Sequence, residues 1–154
     1  MLLQICGHEI VGKITSVGDE VTDISLGDVV GVGWVESSCH QCYLCLEGEE
    51  NLCSKRKLTC CRGGQGGFAD KFRCDSRFCF KIPDGLDLKV VGPLMCAGIT
   101  VYAPLRKYAK PGCTVGVLGI GGLGHLAIKF AKAMGCSVTA FSRSEAKVRK
   151  TIQC

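Results

Sequence analysis

The chain has 154 residues, 47% hydrophobic and 21% charged, which suits one ordinary domain or two small ones with a real core. No run approaches the ~18 apolar residues of a membrane span, and the opening MLLQIC lacks the features of a secretory signal, so a cytosolic address is expected. The formal charge of +5 is uneven: residues 1–77 carry eight Lys/Arg against eleven Asp/Glu, and residues 78–154 carry eleven against three. A basic second half suits nucleic acid or an anionic cofactor; without a Lys/Arg block interleaved with aromatics, the cofactor is the better reading and no nucleic-acid partner is expected.

In chain order, Ile10–Val17 reads as a strand, Gly18-Asp19 as a turn, and Gly27-Asp28 as the lead into a strand over Val29–Val32. A cysteine-rich lobe follows over residues 36–56, then the glycine-rich link RGGQGG over 62–67. Strands are expected at Phe68–Arg73 and Phe78–Ile82, with a turn at Pro83-Asp84-Gly85. This half reads as all-β, a small barrel with an inserted metal loop. From about Leu86 the pattern changes. Val90–Tyr108 has helical spacing interrupted by Pro93 and Pro104, and Pro111-Gly112 is a turn. A strand over Thr114–Leu118, a helix over Gly122–Met134, a strand over Ser137–Phe141 and a helix start over Ser144–Thr151 follow. Strand, glycine turn, helix, strand is a βαβ unit. One such unit leaves most of a parallel sheet unpaired, so a fragment, or a product that needs partners, is expected.

Thirteen cysteines without a visible secretion signal favour reduced thiols and metal over a disulfide framework. Cys39, Cys42, Cys45 and Cys53 have the spacing C-x2-C-x2-C-x7-C. A ferredoxin cluster would have a shorter last gap followed by proline, and an RNA-binding zinc knuckle would carry a histidine ligand and stacking aromatics. A structural zinc held by four thiolates, with no open position, fits best. The other nine (Cys6, Cys60, Cys61, Cys74, Cys79, Cys96, Cys113, Cys136 and Cys154) read mostly as small apolar residues of strands and helices.

Gly119-Ile120-Gly121-Gly122-Leu123-Gly124 is G-x-G-x-x-G directly after a strand and opening a helix, the context in which glycines cradle a pyrophosphate. A glycine turn that merely packs closely is the plain alternative. About twenty residues on, where an NAD site usually has a carboxylate, the strand ends in Phe141-Ser142-Arg143-Ser144, with Lys147 one turn further. Ser142, Arg143 and Lys147 suit a 2′-phosphate, hence NADP, although a solvated basic helix start has the same composition. His8-Glu9 and Cys96, taken alone, are as well explained by ordinary structural roles.

The ordered series GHEIVGKITSVG, GDVVGVGW, the cysteine quartet, VGPLMCAGITVYAPL and VGVLGIGGLGH resembles the zinc-containing medium-chain alcohol dehydrogenases. Within them it is most similar to the cinnamyl alcohol dehydrogenase-like, NADP-dependent branch. The resemblance runs from Gly7 to about Lys147. It implies a GroES-like catalytic domain over 1–88, a truncated β-barrel carrying the structural zinc lobe, and the start of a Rossmann NADP-binding domain over 89–154. By the same resemblance, Cys39, Cys42, Cys45 and Cys53 match structural zinc ligands. His8 and Cys96 match catalytic zinc ligands, and Glu9 matches the adjacent carboxylate. Thr100 matches a cofactor contact, Gly119–Gly124 the pyrophosphate turn, and Ser142, Arg143, Ser144 and Lys147 the 2′-phosphate loop. The implied chemistry is hydride transfer between NADP(H) and a primary alcohol or aldehyde, aromatic or medium-chain.

The family also has a catalytic-zinc cysteine upstream of the GHE motif, which this sequence does not include, so an incomplete catalytic site and a poorly active fragment are expected. Cys6 stands where the family usually has proline and is a conceivable substitute ligand. A homodimer is expected for the full-length family. The alternative to an enzyme is a zinc-holding interaction module that pairs its open sheet edge with another subunit.

Overall fold

The computed structural model describes residues 4–61, 65–144 and 147. The chain divides into two compact units, Met1–Cys96 and Ala97–Cys154. The elements in order are β1 (Ile10–Lys13), β2 (Val29–Val32), β3 (Val35–Ser37), α1 (Tyr43–Leu46), β4 (Lys57–Leu58), β5 (Phe80–Lys81), α2 (Leu88–Val91), α3 (Ala97–Tyr108), β6 (Thr114–Leu118), α4 (Gly122–Ala133) and β7 (Ser137–Phe141). Short 3-10 turns lie at Glu50–Leu52, Ser76–Phe78 and Gly92–Met95.

In the first unit β2 is the central strand of an antiparallel sheet ordered β1-β2-β5, with Ile10 opposite Val32 and Val30 opposite Lys81. A second, two-stranded sheet pairs β3 with β4. Among the described residues these sheets remain open, and no closed barrel forms. β2 is buried from Val30 to Val32 although its residues alternate between faces. Glycine explains this. A Cβ on Gly31 would run into the Met95 sulfur, and one on Gly33 would fall 2.5 Å from the Met95 carbonyl oxygen. The missing side chains let the Gly92–Met95 turn settle on the sheet.

Three expectations for this unit are corrected. β1 ends at Lys13 rather than Val17: Ile14 still bonds to Asp28 and Gly27, after which β2 offers no partner before the turn closed by the Val21 N–H on the Gly18 carbonyl. Phe68–Arg73 is not a strand. Gly66, Gly67 and Phe68 donate to the carbonyls of Ile5, Gly7 and Cys6, but the chain then bends and Phe68 is 81% exposed. The strand expected over Phe78–Ile82 shrinks to Phe80–Lys81, because Ser76–Phe78 winds into a 3-10 turn capped by Asp75, whose carboxylate accepts from the Arg77 N–H. The scattered cysteines within the described residues also sit in turns and at element ends, not inside strands or helices. Of the link over 62–67, residues 62–64 lie outside the described residues.

The second unit matches its sequence pattern more closely. β6 and β7 pair in parallel, from Thr114 opposite Ser137 to Leu118 opposite Phe141, with α4 as the crossover. Tyr102 of α3 meets Phe130 of α4 edge to face, ring centroids 5.6 Å apart. α3 runs through Pro104 without ending there, while Pro93 opens the 3-10 turn in the first unit, where a missing N–H costs nothing. Of the helix expected over Ser144–Thr151, only Ser144 and Lys147 fall within the described residues, and Lys147 is helical.

The contact of Gly33 with the Met95 backbone yields a stability prediction. Gly33→Ala should destabilise the zinc-loaded protein by about 1–3 kcal/mol in chemical denaturation, because a backbone atom has to move. Gly12→Ala, on the same sheet with open space at its Cβ position, should change stability far less. Equal effects of the two substitutions would refute this account.

Candidate metal centres and cofactor cleft

The chain between β3 and β4 is turned back on itself to bring four sulfurs together. His40 takes a left-handed conformation at φ 55°, uncommon for a residue other than glycine, and Gly48 takes φ 77° after the single turn of α1. Cys53 follows the Glu50–Leu52 turn and is fully buried. Sulfur separations are 3.9 Å for Cys39–Cys45, 3.5 Å for Cys42–Cys45 and 3.5 Å for Cys39–Cys53. Four thiolates at about 2.3 Å from one tetrahedral zinc would lie about 3.8 Å apart, so the quartet fits that ion. All four sulfurs fall within 4.8 Å of one another.

The surroundings favour thiolates unevenly. N–H groups of Gln41 and Cys42 pull the Cys39 thiol down to about 6. The Ser38 hydroxyl, 3.4 Å from the Cys45 sulfur, lowers Cys45. At Cys42 the Cys45 N–H favours the thiolate, but a proton shared with the Cys45 sulfur and burial outweigh it and push the thiol up to about 11. Without a cation the quartet therefore opposes full ionisation, which a divalent ion would offset.

A second donor set lies in the same unit. His8 Nε2 and Cys96 Sγ are 3.2 Å apart, and with a Glu9 carboxylate oxygen they form a group whose ligand atoms all fall within 4.8 Å. A nitrogen and a sulfur on one tetrahedral zinc would be separated by about 3.6 Å, so His8 and Cys96 fit a shared ion. Two features fix the pair. Met95, seated over Gly31 and Gly33, carries Cys96 to the sheet. Trp34 meets the His8 ring edge-on, centroids 5.0 Å apart and planes at 84°. Trp34, 42% exposed, was not singled out from the sequence as a site residue, although it closes the GDVVGVGW motif. Cys6 does not join the group: its sulfur is exposed and lies 4.0 Å from the Gln4 carbonyl.

In the second unit an open cleft of about 1450 Å³ is lined by Thr100, Gly119–Gly124, Phe141, Ser142–Ser144 and Lys147, among others. Every residue proposed from sequence for cofactor contact thus faces one cavity. The glycines divide their roles physically. Gly119 has φ 90°, which a side chain would strain, and its N–H bonds to the Phe141 carbonyl. A Cβ at Gly121 or Gly122 would meet only open space, whereas one at Gly124 would collide with the Gly119 carbonyl. The first glycine turns the chain, the middle pair leaves the backbone approachable, and the last packs α4 against the turn. At the end of β7 the Ser144 N–H bonds to the Ser142 hydroxyl at 3.1 Å, shaping the loop that carries Arg143.

Residues 2–84 match the family model of the alcohol dehydrogenase GroES-like domain, and the chain belongs to that family. It is 48% identical to cinnamyl alcohol dehydrogenase 7 of Arabidopsis thaliana, over 92% of this chain and 42% of that protein. It is 44% identical to the aldehyde reductase AdhA of Synechocystis, over 96% and 44%. Among solved structures, a cinnamyl alcohol dehydrogenase of Sorghum bicolor matches with TM-score 0.90 and 42% identity, covering 96% of this chain and 45% of that one. A Helicobacter pylori structure described as CAD complexed with NADP(H) matches with TM-score 0.91 and 38% identity, over 97% and 46%. The chain spans less than half the length of these relatives. Among the described residues no single helix is long and apolar enough to cross a membrane.

Cys53→Ser should lower the zinc content by one ion per chain, read by elemental analysis, and Cys113→Ser, at an exposed cysteine outside both donor sets, should not. Retention of the full metal content in Cys53→Ser would show that the quartet does not hold an ion. Because binding requires thiolates, zinc affinity should fall as pH drops.

Proposed function

We propose that the whole protein is a zinc-dependent oxidoreductase that transfers hydride between NADP(H) and a primary alcohol or aldehyde, aromatic or medium-chain. The observation that carries this reading is the convergence of His8, Glu9 and Cys96, three donors of the kind that leave a zinc ion an open position. An ion held there supplies Lewis acidity toward a substrate oxygen, and the nicotinamide supplies or accepts hydride.

The residues of this chain have distinct parts in that scheme. His8 and Cys96 hold the metal, and the Glu9 carboxylate stands close enough to bind it or release it. Thr100 lines the cleft beside the glycine turn, where it would contact the cofactor. The backbone at Gly121 and Gly122 receives the pyrophosphate at the N-terminus of α4, where unpaired N–H groups favour an anion. Ser142, Arg143 and Lys147 on the same cleft bind the 2′-phosphate, with Ser144 shaping their loop. The separate quartet has no open position in this reading and orders the lobe. Cysteines outside any disulfide at both centres suit a reducing, cytosolic compartment.

In the full-length protein, Cys96→Ser should lower kcat/KM for NADPH-dependent reduction of an aromatic aldehyde such as cinnamaldehyde by at least ~100-fold, as expected when a metal ligand is lost. Zinc at the quartet should remain. Wild-type rates after that change would refute the catalytic-metal assignment. Arg143→Ala should reduce the preference for NADPH over NADH by ~10-fold, the worth of one charge-assisted hydrogen bond. An unchanged coenzyme ratio would count against the 2′-phosphate assignment.

A further inference from the structure

Outside both metal centres and the cleft, a third pair of sulfurs lies close together. Cys74 and Cys79 flank the 3-10 turn Ser76–Phe78, and their sulfurs are 3.3 Å apart. The turn sets this separation. Phe78 and Cys79 donate N–H bonds to the carbonyls of Asp75 and Ser76, and the Asp75 carboxylate caps the turn and pairs with Arg77 at 2.6 Å. Both cysteines are partly exposed, so a small oxidant can reach them. Neither sulfur belongs to a group of three or more metal-binding side chains among the described residues.

We propose that Cys74 and Cys79 are a reversible redox site that closes to an intrachain disulfide on reaction with a hydroperoxide. Bond formation needs an approach of about 1.2 Å, from 3.3 Å to the usual ~2.05 Å, within reach of side-chain rotation. The two sulfurs are chemically unequal. The hydrogen bond the two sulfurs share lowers the Cys79 thiol, against burial and the charges of Asp23 and Asp75, whereas that same bond, burial and the nearby charges of Cys79, Glu36 and Asp75 raise Cys74. Cys79 is therefore the attacking sulfur. Its thiolate displaces hydroxide or alkoxide from the peroxide O–O bond and becomes a sulfenic acid. The Cys74 sulfur then attacks that sulfenic sulfur and expels water, its thiol proton leaving with the oxygen. Two thiols lose two electrons and two protons; one hydroperoxide is reduced to water and an alcohol, or to two waters if the oxidant is hydrogen peroxide.

The site has a structural neighbour that gives the reaction a consequence. Phe78, inside the bridged turn, packs on the His40 ring, centroids 5.6 Å apart, and His40 lies between Cys39 and Cys42. Oxidation would tie down the turn that supports the metal lobe.

The sequence supplies a direct assay, because trypsin cleaves after Arg73, Arg77 and Lys81 and places the cysteines on separate peptides, 74–77 and 78–81. Zinc-loaded protein is treated with an equimolar amount of hydrogen peroxide, alkylated, digested and examined by mass spectrometry. The expected result is a covalently joined 74–77/78–81 pair, lighter by two hydrogens than the sum of its parts and restored to separate alkylated peptides by dithiothreitol. Cys74→Ser should instead leave a Cys79 sulfenic acid that dimedone traps. Full alkylation of Cys74 and Cys79 as thiols after the exposed Cys6 and Cys113 have been oxidised would overturn the proposal. So would pairing of either cysteine mainly with a different partner.

Discussion

The first unit depends on a floor without side chains. At Gly31 of the central strand and at Gly33 just beyond its end the chain presents bare backbone, and the Gly92–Met95 turn rests there. That contact carries Cys96 to within 3.2 Å of His8, a residue 88 positions earlier in the chain. A methyl group at either glycine would strike Met95, so the geometry of the metal donors is set by atoms that are missing. The sheet register then aligns the rest: β1 follows the His8-Glu9 pair, β2 lies beneath the turn, and β5 pairs with the far edge of β2.

The two metal-binding groups are built by opposite means. The quartet is a local construction, with its ligands on one excursion between β3 and β4 and its reversals made by a left-handed His40 and by Gly48. Its sulfur spacings of 3.5–3.9 Å fit the edges of a zinc tetrahedron, and the raised Cys42 thiol opposes a fourth negative charge where no cation is present. The second group is a long-range assembly of a loop, a turn and an aromatic wall supplied by Trp34. The first can order a lobe that has little core of its own. The second depends on a core already in place.

Legibility in the sequence follows the same division. β6, α4 and β7 match their expected spans almost residue for residue, because apolar periodicity and the glycine turn act locally. The quartet was legible from spacing alone. His8 and Cys96 were not: nothing local marks two residues so far apart as neighbours, and only the family resemblance joined them. Two strands were overread for one reason. Ile14–Val17 and Phe68–Arg73 have the composition of strands, yet β structure needs a partner, and β2 begins too late for the first while the chain bends away at the second. The Cys74–Cys79 contact was equally hidden, since its closeness comes from a 3-10 turn that begins in the gap between the two expected strands.

The separation of ligands along the chain also sets an order in time. The quartet's Cys39 and Cys53 are 14 residues apart, whereas His8 and Cys96 are 88 apart. Loop-closure entropy makes the longer union costlier by ~1.6 kcal/mol before any packing is counted. A nascent chain can therefore gather its four sulfurs as soon as Cys53 has emerged, well before Cys96 exists to meet His8. The quartet can close first, and the long-range donor set can come together only after the sheet and its glycine floor have formed.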